Sequence, residues 1–285
     1  MSFIHNIQTK YKYATIVERF IYINVAIFAL VFVFNTLGFL FKSNTNLLIS
    51  WFVLPATFSE FITKPWTLIT YGFLHISFLH ILLNLIALYY IGNLFVQYFT
   101  PKQFVTFYVL GTVFGGLIFL LSYTYFPVFS KASSFSVLLG ASAGISAIFI
   151  GIATYIPNYQ LKIRFIGFVK LWHLAAVWVG LDIIQIPVGN SGGHFAHLGG
   201  ALFGFLYVSF ASNTSIDLWG DFLSFLKTKQ KPLKTVYKSR KKPTSRVKSK
   251  NKHQQKIDEI LDKISKSGYD TLTKEEKAFL FQQEK

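Results

Sequence analysis

The sequence contains no cysteine among its 285 residues. Disulfide bonds, thiolate catalysis and cysteine-ligated metal sites are therefore excluded. Charged residues are also scarce, at 14% of the chain, against roughly 25% in an average soluble protein. Charge of one sign is scarcer still, because 12 Asp and Glu stand beside 28 Lys and Arg. This composition does not describe an ordinary soluble enzyme.

Apolar residues take the place of the missing charges. They make up 52% of the chain and include 32 Phe and 15 Tyr. Segments of about 20 apolar residues are long enough to cross a hydrocarbon core about 30 Å thick. Six segments of this kind occur, at about 19–41, 74–98, 103–125, 134–156, 168–187 and 194–213. The sequence therefore predicts an all-α membrane protein, a bundle of six transmembrane helices.

The basic residues predict how these helices are oriented. Lys10, Lys12 and Arg19 lie at the start of the first segment, and Lys162 and Arg164 lie in the fourth connection. Residues 227–256 hold 13 of the 28 Lys and Arg and no acidic residue, which leaves 15 basic and 12 acidic residues elsewhere. Because basic loops stay on the cytoplasmic side, we predict that both termini are cytoplasmic.

Four regions follow from these patterns. We predict a cytoplasmic N-terminus at 1–18, a six-helix membrane core at 19–213, a basic juxtamembrane linker at 214–255 and a small helical hairpin at 256–285. The apolar first connection is expected to lie in the membrane interface. The basic linker is expected to bind anionic lipid head groups and to be disordered over about 228–254. We expect no nucleic-acid partner, because Tyr237 is the only aromatic residue within the basic run.

Polar side chains inside membrane segments are costly and indicate function. The second segment contains His80 and Asn84, the fourth contains Ser142, and the sixth contains His197. With a cytoplasmic N-terminus, all three segments enter from the outer face. At about 1.5 Å per residue, the four side chains lie roughly 5–15 Å below that face. Three separate helices therefore bring a serine, histidines and an amide to a similar depth.

This set of side chains suits acyl transfer. A serine hydroxyl becomes a useful nucleophile when a neighbouring imidazole accepts its proton, which suggests Ser142 and His197. His80, Asn84 and the Ser142 backbone N–H are candidate donors to an oxyanion. Asp182 lies near the outer end of the fifth segment and is expected to be a poor third member, so a Ser–His dyad is the simpler interpretation. We expect no metal or other cofactor, since His194 shows no second zinc ligand in the sequence.

Three motifs resemble those of the rhomboid intramembrane proteases. They are His75-x4-His80-x3-Asn84, Gly140-x-Ser142 and Ala196-His197-x2-Gly200-x3-Gly204, and the likeness covers about residues 15–213. The resemblance implies a six-helix bundle with a cavity open to the outside. It implies an intramembrane serine endopeptidase that hydrolyses peptide bonds in or near the transmembrane segments of its substrates, with Ser142 as nucleophile and His197 as general base and acid. It further assigns His80 and Asn84 to the oxyanion hole.

Three positions depart from the rhomboid pattern. Many members have Arg after the tryptophan near the end of the first connection, which is Trp66 here. They also have glycine after the serine, and an aromatic residue one turn after the serine that packs on the histidine. Here these positions are Thr67, Ala143 and Ser146. The C-terminal 256–285 resembles a short module found on some bacterial rhomboid proteins. From this resemblance we expect a bacterial inner membrane.

Other interpretations of the same residues stay open. Gly140 and Gly144 also form a G-x-x-x-G helix-packing motif, and Asn84 could equally join helices. The main alternative function is a catalytically inactive rhomboid-like protein that binds transmembrane helices. Such relatives typically lack the serine or the histidine, and both are present here. A small transporter or channel is a more distant alternative, since it predicts internal repeats and broken helices that the sequence does not show.

Overall fold

The computed structural model describes residues 3–42, 49–211 and 246–281. These residues are mostly helical and divide into two compact units, 1–228 and 229–285, which are described separately. The helices of the first unit are α1 (Phe3–Tyr13), α2 (Ile16–Leu40), α3 (Phe58–Thr63), α4 (Thr67–Thr70), α5 (Phe78–Phe95), α6 (Pro101–Tyr125), α7 (Ser142–Tyr155), α8 (Leu171–Gln185) and α9 (Ser191–Ala211). Single 3-10 turns occur at Tyr71–Phe73 and Pro127–Phe129.

The described residues of this unit also contain four short strands. Strands β1 (Leu54–Pro55) and β2 (Val137–Leu138) form one antiparallel pair. Strands β3 (Gln160–Ile163) and β4 (Gly167–Lys170) form a second antiparallel pair between α7 and α8. Both pairs lie in connections between apolar helices.

The predicted all-α membrane fold is confirmed. Helices α2, α5 and α6 are long and apolar enough to cross a membrane, and α7 and α8 are shorter apolar helices. Polar caps mark where the long helices begin: Thr15 with Glu18 forms a capping box at α2, and Thr100 with Gln103 forms one at α6. That the chain crosses the membrane six times stays a prediction.

The fourth predicted segment, 134–156, was too long at its start. Residues Val137–Leu138 are extended and pair with the first connection, and α7 begins only at Ser142. Between the two, Gly140 has a φ of +126°, a conformation that side-chain-bearing residues rarely adopt. The turn at Gly140 therefore places Ser142 at the first position of a helix instead of within one. The other helices begin and end within a few residues of the predicted segments.

Helix α7 is the centre of the unit. Every residue from Ala143 to Ala153 is buried, and α6 and α9 pack against it. Glycines allow the backbones to approach closely: a Cβ atom on Gly200 or Gly204 of α9 would overlap the carbonyl oxygen of Ala143 or Ala147. This close packing fixes the position of α9 relative to the start of α7.

The first connection is anchored by its tryptophans. The rings of Trp51 and Trp66 stack with centroids 6.0 Å apart, and Trp66 Nε1 donates a hydrogen bond to the Trp51 carbonyl. Lys64 lies over the Trp51 ring, and Thr67 is fully buried with its hydroxyl donating to the Lys64 carbonyl at 2.6 Å. Thr67 thus anchors the loop by a local hydrogen bond. Residues 43–48 of this connection lie outside the described part of the chain.

The described residues of the second unit form two helices joined by a 3-10 turn, and the first helix begins before the predicted boundary. Helix α10 (Arg246–Ser267) begins ten residues before the predicted boundary at 256 and is followed by a 3-10 turn and α11 (Lys274–Phe281). Ile260 and Leu272 are buried, and Lys263 pairs with Glu276 at 2.9 Å. The prediction of disorder over 228–254 was wrong for residues 246–254, which belong to α10, and residues 228–245 lie outside the described part of the chain.

Candidate active site

Ser142 and His197 meet at the junction of α7 and α9. The Ser142 Oγ atom lies 2.7 Å from His197 Nε2, although 55 residues separate them in the sequence. This distance is typical of a strong hydrogen bond from a hydroxyl to an imidazole nitrogen. Close packing of Gly200 against Ala143 explains why Ser142 and His197 lie so near each other. Ala143 follows Ser142 directly, and Gly200 lies less than one helical turn after His197. The serine and histidine selected from the sequence therefore form one pair.

A cavity of about 570 Å³ opens beside this pair. Its wall combines the serine and histidine with His80, Asn84, Asn190 and apolar side chains. A volume of this size lies within the usual range for ligand pockets. The cavity is therefore large enough for a short stretch of extended polypeptide to approach the serine hydroxyl.

His80 and Asn84 both line the cavity, as expected from their spacing of four. Gly140 lies directly against the His80 ring, since a Cβ atom there would lie 2.9 Å from the ring Nε2 and Cε1 atoms. Asn84 is buried and its Nδ2 donates to the His80 carbonyl at 3.0 Å. One amide hydrogen of Asn84 therefore supports its own helix, and the second is available to the cavity.

His75 has a structural position. It is fully buried, and its Nε2 atom accepts a long hydrogen bond of 3.4 Å from the Ala141 backbone N–H. The Gly140 N–H donates to the Tyr71 carbonyl at 2.9 Å. These two contacts hold the backbone immediately before Ser142. Another histidine, His173, has its ring centroid 3.8 Å from that of the adjacent Trp172, with the ring planes tilted by 53°, and it does not line the cavity.

The prediction that Asp182 is a poor partner was wrong. Its Oδ1 atom lies 2.8 Å from His197 Nδ1 and 2.8 Å from His194 Nδ1. Asp182 and His194 are both buried. Position along the fifth segment was a misleading guide, because α8 is short and the following turn returns the chain at once into α9. Depth alone therefore did not show that α8 places this carboxylate beside α9.

The expectation that His194 lacks companions for a metal also needs correction. Ligand atoms of Asp182, His194 and His197 all lie within 4.8 Å of one another, close enough to surround an ion. The two N···O distances of 2.8 Å are, however, ordinary lengths for an N–H donating to a carboxylate. Hydrogen bonding accounts for the contacts of this cluster.

An aromatic side chain does lie beside His197, but it comes from α8. The Trp178 ring centroid is 6.5 Å from that of His197, and Trp178 Nε1 donates to the Ser146 hydroxyl at 3.1 Å. Ser146 is completely buried one turn after Ser142. The small residue at this position therefore leaves room for an indole from the neighbouring helix.

Ala143, the third departure from the rhomboid pattern, fills a tightly packed position. It is 1% exposed, and a Cβ atom on Gly115 would lie 2.7 Å from its methyl group. Its methyl group therefore belongs to the packing of α6 against α7.

Comparisons with known proteins identify the family of the membrane unit. A model of the Rhomboid domain matches residues 63–214, slightly more than half of the chain. RHOMBOID-like protein 12, mitochondrial, of Arabidopsis thaliana is 33% identical over 144 residues, which are 47% of this chain and 43% of that protein. Presenilin-associated rhomboid-like protein A, mitochondrial, of Danio rerio is 29% identical over 152 residues, 52% of this chain and 38% of that protein.

A third relative is named as a protease. Rhomboid-like protease 3 of Toxoplasma gondii is 25% identical over 162 residues, 56% of each chain. The chain thus spans roughly half the length of these three relatives, all of them eukaryotic. A separate family of unknown function (DUF6576) matches residues 247–282, which contain all of α11 and all but the first residue of α10.

Proposed function

The chain belongs to the rhomboid family and is an integral membrane protein, and from that premise we propose that it is an intramembrane serine endopeptidase. The observation that carries this proposal is the 2.7 Å approach of Ser142 Oγ to His197 Nε2 at the wall of a cavity of about 570 Å³. A hydroxyl hydrogen-bonded to an unprotonated imidazole nitrogen is the arrangement that activates a serine. The packing of α7 against α9 by itself would not require this hydrogen bond between the two side chains.

The reaction would begin with attack of Ser142 Oγ on a substrate carbonyl carbon. His197 Nε2 takes the hydroxyl proton as the C–O bond forms and the carbonyl becomes a tetrahedral oxyanion. Collapse of this intermediate breaks the C–N bond, and His197 returns the proton to the departing amine. Water then attacks the acyl-enzyme with His197 again as base, which releases the carboxylate product and restores the serine.

Three candidate donors for the oxyanion lie at the serine or line the same cavity. As the first residue of α7, Ser142 has a backbone N–H with no acceptor within its own helix. The second amide hydrogen of Asn84 and the ring of His80 face the same cavity. We assign these three groups to charge stabilisation, since donors prepared in advance are often the largest contribution to this type of catalysis.

The substrates would be membrane proteins with one accessible, easily unwound transmembrane segment. A peptide carbonyl inside a helix is already hydrogen-bonded and cannot accept attack, so the substrate must be extended near Ser142. Segments with Gly, Ala or Pro near the outer face meet this need best.

We place the protein in a bacterial inner membrane with both termini in the cytoplasm; the mitochondrial names of two relatives describe those proteins.

The main alternative is a rhomboid-like protein that binds transmembrane helices without cleaving them. An activated serine distinguishes the two functions. Detergent-purified full-length protein would be treated with a fluorescent fluorophosphonate, alongside Ser142→Ala and His197→Ala. We expect labelling of the wild type and a loss of at least about 100-fold in both variants, because Ser142 supplies the reacting oxygen and His197 its activation.

A matched control is His173→Ala, since the His173 ring contacts the adjacent Trp172 and does not line the cavity. It should label at the wild-type rate. A folded wild type that stays unlabelled would favour the helix-binding function. Labelling that survives Ser142→Ala would show that another nucleophile reacts.

A further inference from the structure

Asp182 and His194 form a shared hydrogen-bonded unit with the proposed base, and the inference drawn from it rests on the proposed function. We propose that Asp182 is a positioning residue that converts the Ser–His pair into a three-residue relay, and that His194 positions Asp182. The distances that carry this proposal are the two contacts of 2.8 Å from Asp182 Oδ1 to the Nδ1 atoms of His197 and His194.

The contact with His197 determines which ring nitrogen carries the proton. A carboxylate only accepts hydrogen bonds, so a nitrogen 2.8 Å from Asp182 Oδ1 must be protonated. In a neutral imidazole the proton then resides on Nδ1, and Nε2 is bare where it faces Ser142 Oγ. Asp182 therefore selects the tautomer in which His197 can accept the serine proton.

The same carboxylate serves the charged state of His197. When His197 takes the proton from Ser142 it becomes a cation in a setting where its side chain is only 18% exposed. The Asp182 side chain is 8% exposed and lies in direct contact, so its negative charge offsets the positive charge. Such pairing matters more here than at a surface, because little water reaches either group.

His194 has the same relation to the carboxylate as His197. It lies three residues earlier on α9, and its Nδ1 atom also donates to Asp182 Oδ1. Nothing in the proposed reaction requires His194 to exchange a proton with the substrate. A second donor on Oδ1 holds the carboxylate group in one orientation, which in turn fixes the plane of the His197 ring.

Paired variants separate this role from simple packing. Asn carries its Nδ2 at the same distance along the side chain as His Nδ1, so His194→Asn keeps a donor, whereas His194→Leu has a similar shape without one. We expect fluorophosphonate labelling to fall about 10- to 100-fold in His194→Leu and to stay within about threefold of wild type in His194→Asn. Asp182→Asn should slow labelling by about 10²- to 10⁴-fold.

The tautomer of His197 offers a test that does not depend on labelling rates. ¹⁵N NMR of histidine-labelled full-length protein should show His197 with a protonated Nδ1 and a bare Nε2, assigned by its disappearance in His197→Ala. A neutral His197 protonated at Nε2 would overturn the proposal. So would wild-type labelling rates in folded Asp182→Asn, or equal rates in the two His194 variants.

Failure of the inference and failure of the proposed function are distinguishable. If the wild type does not react, the enzyme proposal fails; if it reacts and Asp182→Asn reacts equally, only the relay fails. Metal analysis of protein purified without chelator gives the remaining outcome. One zinc per chain that is lost in Asp182→Asn would assign the cluster to a metal and overturn the relay.

Discussion

Single side chains decide how the base is held in this molecule. Trp178 reaches His197 from α8 because Ser146 is small enough to leave space and polar enough to accept the indole N–H. Phe149 adds an edge-to-face contact with the same indole at 5.5 Å. The aromatic wall that many rhomboid proteins build from the serine helix is built here from the neighbouring helix.

We predict that Ser146→Ala slows fluorophosphonate labelling about 3- to 10-fold, because it leaves the Trp178 N–H without its acceptor. Trp178→Phe should have a similar effect. Since both changes remove one interaction, the double variant should be little slower than either single variant. Labelling rates of all three variants, with Trp172→Phe on the same helix as control, provide the measurement. Fully additive losses would contradict the coupling.

At the scale of elements, the packing of α7 against α9 sets the distance between the nucleophile and the base. Gly200 brings the two backbones so close that no Cβ atom fits beside the Ala143 carbonyl. Gly180 of α8 differs, because a Cβ atom added there would point into open space, with no neighbouring atom within 4 Å. Only Gly200 of these two glycines is needed for the close approach of two helices, although both lie in apolar helices.

We expect Gly200→Ala to separate α7 from α9 and to destabilise the protein by about 1–3 kcal/mol, the usual cost of overpacking. Labelling should fall with it, because the hydrogen bond from Ser142 to His197 spans the same interface. Thermal unfolding and labelling in detergent would measure both effects. The matched Gly180→Ala variant should leave both unchanged, and an equal effect at the two positions would argue against close approach as the cause.

At the scale of the whole molecule, most of the net positive charge and the proposed active site lie in different units. The proposed site belongs entirely to residues 1–228, whereas the basic run falls mainly in 229–285. The second unit has its own buried contacts, with Ile260 and Leu272 in its interior and Lys263 paired with Glu276. Hydrogen bonds from the Thr273 backbone N–H and then from Lys263 hold the pKa of Glu276 below its ordinary value.

We propose that the basic residues of 227–256 bind anionic lipid head groups, each contributing about 1 kcal/mol near the surface. Amide hydrogen exchange of this segment in full-length protein should be slower in nanodiscs that contain phosphatidylglycerol than in pure phosphatidylcholine. High salt should remove the difference because it screens the attraction. Equal exchange in both lipids would refute lipid binding, and Lys→Gln changes at Lys238, Lys241 and Lys242 provide the control.

The sequence by itself determined the membrane class, the approximate helices and four of the cavity residues. Long apolar runs and polar residues inside them are local signals, so His80, Asn84, Ser142 and His197 could be selected without coordinates. Only the tertiary structure decided that Asp182 and Trp178 lie beside His197. It also decided that α7 starts at Ser142, because residues 137–138 pair with 54–55. Contacts between distant helices depend on close packing and turn geometry, which hydrophobic patterns do not encode.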